Sequence, residues 1–189
     1  MRAMRSNAAT DVQFEMSEHE HGFYMLTLDI PPTPLFKDKS EKVTIPQLPL
    51  GALLKKIDGK SFSEEPGTCV RRKIKVLRMP QLLVLHVRRF TKNKFFTEKN
   101  NTIVNFPLKN LDMSAYLHSE EAEQGVRVKY DLLANIIHDG KANEGSYRVQ
   151  VRYKPDDEWY ELQDLHVTPL LQQQVALSES YILVFERQQ

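Results

Sequence analysis

Cleaving an amide at neutral pH takes a nucleophile, a base beside it and a group that orients the base. The sequence offers one thiol, Cys69, and six imidazoles: His19, His21, His86, His118, His138 and His166. Cys69 lies in a Gly-Thr-Cys loop ahead of a basic stretch. Reactive thiolates favour helix N-termini or a neighbouring imidazolium, so Cys69 reads as an incidental loop residue. His19 and His21 flank Glu20 in a polar stretch, where two ligands on a loop make a poor metal site and a solvated pair is expected. His86 sits inside an apolar run and reads as a packed histidine. His138 ends an expected strand at His-Asp-Gly, a turn position where functional residues concentrate. An acid–base pair of His138 with Asp139 is disfavoured, because adjacent strand residues point to opposite faces.

A second chemistry is phosphate binding. Arg71, Arg72, Lys73 and Lys75, followed by Arg88 and Arg89, are candidate contacts for RNA or protein, with Arg78, Lys92 and Lys94 nearby. RNA recognition adds exposed aromatic rings for stacking. Phe90, Phe95 and Phe96 are close by, but two of the three are expected to fill the core. A solvated basic face is the simpler reading, and no glycine-rich phosphate loop is present.

Composition narrows the classes. Hydrophobic residues make up 41% of the 189 residues, too many for a disordered chain. Lys and Arg number 26 against 25 Asp and Glu, a net charge of +1, so no global field favours nucleic acid or membrane. No apolar run approaches the roughly 20 residues of a spanning helix, and none forms the core of a signal peptide. A single cysteine excludes an internal disulfide and a Cys-rich zinc site.

The elements that must position these groups read as one α+β domain, mostly antiparallel sheet with short helices. Residues 1–15 are expected to be a disordered lead-in and residues 16–189 the domain. Strands are predicted over 23–30, 70–78, 82–90 and 103–106, with 82–90 the most apolar and central. Residues 91–94 form a turn into Phe95 and Phe96. Residues 51–57 form a short helix stopped at Asp58-Gly59. Asp112 is an N-cap for a helix over 113–118. Four more strands follow over 130–137, 147–153, 158–162 and 181–186, with Lys154–Asp157 a hairpin turn.

Several segments go further. MPQLLVLHVRRF (79–90), YDLLANIIHDGKANEGSYRVQVR (130–152), WYELQDLHV (159–167), SESYILVFER (178–187) and FYMLTLDIP (23–31) occur in order along the chain. Together they resemble the C-terminal, palm-and-fingers part of the papain-like ubiquitin-specific-protease family. There a Gly-His-Tyr box supplies the base, and an acidic residue after the Trp orients it. The resemblance puts Ser146, between Gly145 and Tyr147, at the base position. It puts Gln163 at the first acidic position and Asp164 at the second. It implies that the nucleophilic cysteine lies in a half-domain before residue 1, and that His138, Gly145 and Tyr147 would line a channel for the ubiquitin tail. The family's zinc-binding cysteine pairs have no counterpart here, so no cofactor is expected.

A serine hydroxyl does not titrate near neutral pH and cannot deprotonate a thiol. Gln163 carries no charge to steady an imidazolium. The segments 88–107, 138–147, 159–165 and 31–38 resemble a catalytically inactive splicing branch of the family. That resemblance implies a nuclear protein-interaction scaffold that contacts spliceosomal tri-snRNP proteins, with ubiquitin binding weak or absent and no membrane association. Two alternatives remain open: an active cysteine deubiquitinase with a non-standard base such as His138 or His166, and an RNA-binding module.

Overall fold

The computed structural model describes residues 16–32, 45–64, 70–92, 94–118 and 128–188. The expected lead-in over 1–15 and Cys69 lie outside the described residues.

The longest element follows from the most β-prone sequence. β10 (Lys129–Lys141) and β11 (Glu144–Tyr153) are rich in Leu, Ile, Val and Tyr and pair antiparallel across a two-residue turn. β10 is the hub of the main sheet. On one side it pairs with β14 (Ser180–Arg187), which pairs with β5 (Leu82–Arg88), which pairs with the parallel edge strand β1 (Leu26–Asp29). On the other side β11 continues to β12 (Glu158–Gln163) and β13 (His166–Leu170). A short β9 (Leu111–Asp112) also pairs with β10. Three two-stranded pairs stand off this sheet: β2 (Gln47–Pro49) with β8 (Ile103–Asn105), β3 (Ser63–Glu64) with β4 (Arg71–Arg72), and β6 (Phe90–Lys92) with β7 (Thr97–Lys99).

The core lies on one face of the main sheet. Leu83, Leu85 and Val87 of β5, Leu183 and Phe185 of β14, Leu132 of β10 and Trp159 of β12 are buried there. The helix Leu50–Leu54 and its continuing turn Lys55–Ile57 close over it with Leu50, Leu53, Leu54 and Ile57. Val175, from the helix Gln172–Ala176, joins the same cluster. Each such fully buried side chain contributes about 1.5–3 kcal/mol relative to an exposed one. Gly59, at φ 66°, ends the first helical segment as expected.

Several expectations change. The strand predicted over 70–78 is ordered as a strand only at Arg71–Arg72; Lys75 and Val76 make single bridges to Asp58 and Leu117. Among the described residues no long strand pairs with this segment, so alternation alone does not extend it. Residues 82–88 are interior to the sheet but not its centre, because β10 takes that place. Asp112 does accept a hydrogen bond from the Ser114 N–H at 2.9 Å, but only a single 3-10 turn, Ser114–Tyr116, follows. The residues 91–94, read as a turn, instead begin in β6. β13 and the helix Gln172–Ala176 were not anticipated.

Candidate functional site

The β10–β11 ribbon carries the residues singled out above and divides them between its two faces. Its register pairs His138 with Tyr147, Asp139 with Ser146 and Gly140 with Gly145. Alternation therefore sends Gly145, Tyr147 and His138 to one side, and Ser146, Arg148 and Asp139 to the other. β10 runs on to Lys141, so His138 lies inside a strand and not at a turn as expected. The extra length comes from Gly140, whose φ of 105° keeps the ribbon paired where a side chain would collide with the Glu144 carbonyl.

The first side is aromatic. The His138 ring packs edge-on against Phe90 and Tyr147, with centroids 5.0 Å away in each case. Tyr181 extends the cluster to Phe90, Tyr147 and His86, the last at 5.0 Å. The register slips between Ile136 and Ile137, where β10 faces β14, and this leaves Tyr181 out of the pairing. Bulges of this kind re-aim a side chain. Gly145 lies over the His138 ring: a Cβ there would sit 2.6 Å from its Cε1 and Nε2. His138 is buried and its Nδ1 has no hydrogen-bond partner. The structure thus gathers all three residues assigned to the tail channel, Gly145, Tyr147 and His138.

The opposite side is an ion-pair bridge. Arg148 donates to Glu161 at 2.8 Å and to Asp139 at 3.2 Å, tying β11 to β12 and to β10. Gln150 donates to Glu161 at 3.1 Å and accepts from Asn135 at 2.9 Å. Asn135 also donates to Ser178 at 2.7 Å. Lys99 of β7, with its side chain almost buried, pairs with Glu179 at 2.9 Å and donates to the carbonyl of His138. Arg148, Gln150, Glu161, Asp139, Lys99 and Glu179 border a cleft of about 490 Å³. Ser146 is exposed, directly across from Asp139. Gln163 is two residues beyond Glu161 on the same side of β12. Asp164 takes φ 53° in the β12–β13 turn, a conformation that Asp tolerates.

The network of Arg148, Glu161, Gln150, Asn135 and Lys99 was not foreseen. Its signal was present as polar residues at every second position of SYRVQVR, on a strand where one face should be apolar. Among the six basic candidates, Arg71, Arg72, Lys73, Lys75 and Arg88 are exposed. Arg71 pairs with Glu64 at 2.9 Å and Arg88 with Asp29 at 3.1 Å. Arg89 overturns its expectation as a surface contact: it is fully buried. Its guanidinium donates to the carbonyls of Ser180 at 2.6 Å, Asn100 at 2.9 Å and Thr102 at 2.6 Å. Burial lowers its pKa to about 10, still far above neutrality, so the buried cation persists. Phe95 and Phe96 are also the reverse of the reading that two of the three phenylalanines fill the core, since both are exposed and Phe90 is half-buried.

An arrangement of this kind, a half-palm sheet whose β10–β11 ribbon carries a Gly-x-Tyr box, is that of a ubiquitin-protease fold. The family model for ubiquitin carboxyl-terminal hydrolases matches residues 5–185, and the chain belongs to that family. Human ubiquitin carboxyl-terminal hydrolase 39 is 44% identical over 178 residues, covering 93% of this chain and 31% of that protein. A probable mRNA-splicing protein, ubp10 of Schizosaccharomyces pombe, is 37% identical over 171 residues, covering 87% of this chain and 34% of that one. The chain spans about a third of the length of the curated relatives it matches. An essential yeast splicing factor superposes with a TM-score of 0.63 at 27% identity, over 88% of this chain and 37% of that one. The yeast SAGA deubiquitinating module bound to ubiquitin aldehyde gives 0.68 at 22% identity, over 88% and 36%, which shows the shared fold.

Proposed function

We propose that this chain is a catalytically inactive ubiquitin-specific-protease-like domain acting as a protein-interaction scaffold in tri-snRNP assembly and pre-mRNA splicing, in the nucleus. One observation carries the loss of chemistry. The position that the resemblance gives to the base is held by Ser146, an exposed hydroxyl facing Asp139, with Glu144 and Arg148 each two residues away on the same side of β11. A hydroxyl does not titrate near neutral pH and cannot serve as the general base. His138, one alternative base, is on the opposite side under Gly145. His166, the other, lies opposite Gln163 on β13. That is two strands from β11, about 10 Å at the usual strand spacing. The splicing assignment rests on the splicing names borne by relatives over nearly the whole of this chain.

The experiment is hydrolysis of a fluorogenic ubiquitin conjugate by the protein in its native, full-length form. A missing general base costs about 10²–10⁴-fold in rate, so turnover should lie at least that far below that of an active member of the family. Ser146→His with Gln163→Asp should also be required before any cleavage appears. Robust cleavage by the unaltered protein would overturn the proposal.

The tail channel is a separate matter. His138, Gly145 and Tyr147 are its proposed lining, and their aromatic packing supports a retained shape. Binding of ubiquitin by this chain alone is expected to be weak or nil, because one wall of that channel is expected from a segment outside it. Submicromolar affinity in a calorimetric titration would contradict this.

A further inference from the structure

The β6–β7 hairpin inverts the usual distribution of side chains. At its foot an arginine is buried; at its tip two phenylalanines face solvent. Phe95 is 92% exposed and Phe96 is 56% exposed. They are consecutive residues in the bend, beside the exposed Lys92 and Lys94. Neither ring serves the core, so nothing among the described residues accounts for them. Exposed apolar residues rimmed by polar ones mark interaction sites, and aromatic rings are enriched at protein interfaces.

The foot is fixed. Arg89 ties the start of the hairpin to three carbonyls, and Lys99 ties its end to Glu179 and to the carbonyls of His138 and Gly140. A tip held this way loses little conformational entropy on docking. The Lys99 contacts also place the foot of the hairpin beside the end of the ribbon that carries Ser146.

We infer that the β6–β7 tip is a protein-docking element, with Phe95 and Phe96 entering an apolar pocket on a partner protein whose rim carries carboxylates that pair with Lys92 and Lys94. The inference deepens the scaffold reading and rests on it. Charge argues for protein over RNA. A strand of RNA needs a track of available cations, but Arg89 is buried and Arg71 and Arg88 already pair with carboxylates. Two lysines beside the exposed Glu98 suit a pocket rim better than a phosphate backbone.

The test replaces Phe95 with the photoreactive p-benzoylphenylalanine in the full-length protein, irradiates it in nuclear extract, and maps the cross-linked peptides by mass spectrometry. The expected result is one protein, cross-linked within a segment whose apolar residues are flanked by Asp or Glu. Yield should fall about fivefold or more with Lys92→Glu and Lys94→Glu, and about tenfold with Phe96→Ala. All three positions are exposed, so an unchanged melting temperature should confirm that these variants fold. Ribonuclease-sensitive adducts, cross-links scattered over many proteins, or none at all would each overturn the inference. A single acidic-rimmed partner from outside splicing would leave the docking element standing and sink the splicing assignment. Entry into the tri-snRNP without a cross-link at position 95 would do the opposite.

Discussion

The two faces of the β10–β11 ribbon have fared differently. On one, Gly145, His138 and Tyr147 pack as a sheet surface shaped for a passing peptide would: a glycine without bulk, a ring beneath it, a second ring beside it. On the other, where a base and its orienter would stand, Arg148 bridges Asp139 and Glu161, and Gln150 and Asn135 extend the network. Under the proposed inactive reading, shape and chemistry are separable, because a strand's alternation assigns them to opposite sides. Ser146 and Gln163 stand on the side away from the aromatic cluster, so replacements there would leave that cluster untouched.

The comparison breaks most completely at Gly145, the residue on which both faces depend. A Cβ there would overlap the Asp139 carbonyl as well as the His138 ring at 2.6 Å. Since a backbone atom cannot swing aside, Gly145→Val should destabilise the protein by about 2–3 kcal/mol, read by chemical denaturation. A loss below half a kcal/mol would mean that the ribbon opens freely and that its two faces are not coupled.

Arg148→Met tests the polar face alone. Glu161 would keep only Gln150 as a partner, with its side chain 17% exposed. The guanidinium is itself partly solvated, which screens the pair, so the expected loss is about 1–2 kcal/mol. The ring contacts of His138 and Tyr147 should be unchanged in nuclear magnetic resonance shifts. Large shifts in those rings would show that the faces communicate.

The sequence was informative wherever a function or a fold depends on neighbours along the chain. The strands of FYMLTLDI, LLVLHVRRF and SYILVFER were legible from β-branched and aromatic runs, and the Gly-Ser-Tyr box was legible as a motif. What escaped depends on partners far away. Arg89 looks like Arg88 in sequence, yet one of its acceptors is the carbonyl of Ser180, 91 residues on. The preceding strand pair sets which of the two arginines turns inward. β13 carries Val167 and Thr168, but its Pro169 argues against a strand, and it is accommodated because β13 is the edge of the sheet. Two of Phe90, Phe95 and Phe96 were expected in the core because hydrophobicity alone suggests burial, yet Phe95 and Phe96 stand exposed at a hairpin tip. The bridge around Arg148 required the register of three strands at once.

The aromatic side can be probed by acid. His86 faces Tyr181 at 5.0 Å and contacts the Thr27 hydroxyl at 3.4 Å. Burial first, then the nearby Arg88 charge, lowers its pKa from the ordinary value, with Asp29 opposing. The folded state therefore prefers the neutral ring. An unfolded chain binds a proton at about pH 6.5 while the folded one resists. Stability should be full above that pH and decline as pH falls below it. His86→Phe keeps a ring against Tyr181 and removes the titration, so its stability should fall less between pH 7 and 5 than the parent's. Parallel curves for the two proteins would mean that His86 titrates as if in water.

The smallest effect is expected at Tyr147, and it sharpens the comparison most. The ring is 56% exposed, so Tyr147→Ala loses little burial and only the ring contacts with His138 and Tyr181, about 0.5–1 kcal/mol. Ser146→Ala should cost still less, because an exposed hydroxyl leaves nothing unpaired. Stability thus cannot explain a large functional difference between these adjacent positions. If the aromatic face binds an extended peptide, Tyr147→Ala should weaken that binding severalfold while Ser146→Ala leaves it unchanged, as read by titration with a labelled ubiquitin C-terminal peptide. Equal effects at the two positions would mean that the ribbon does not present its faces separately, and the division between retained shape and lost chemistry would fail.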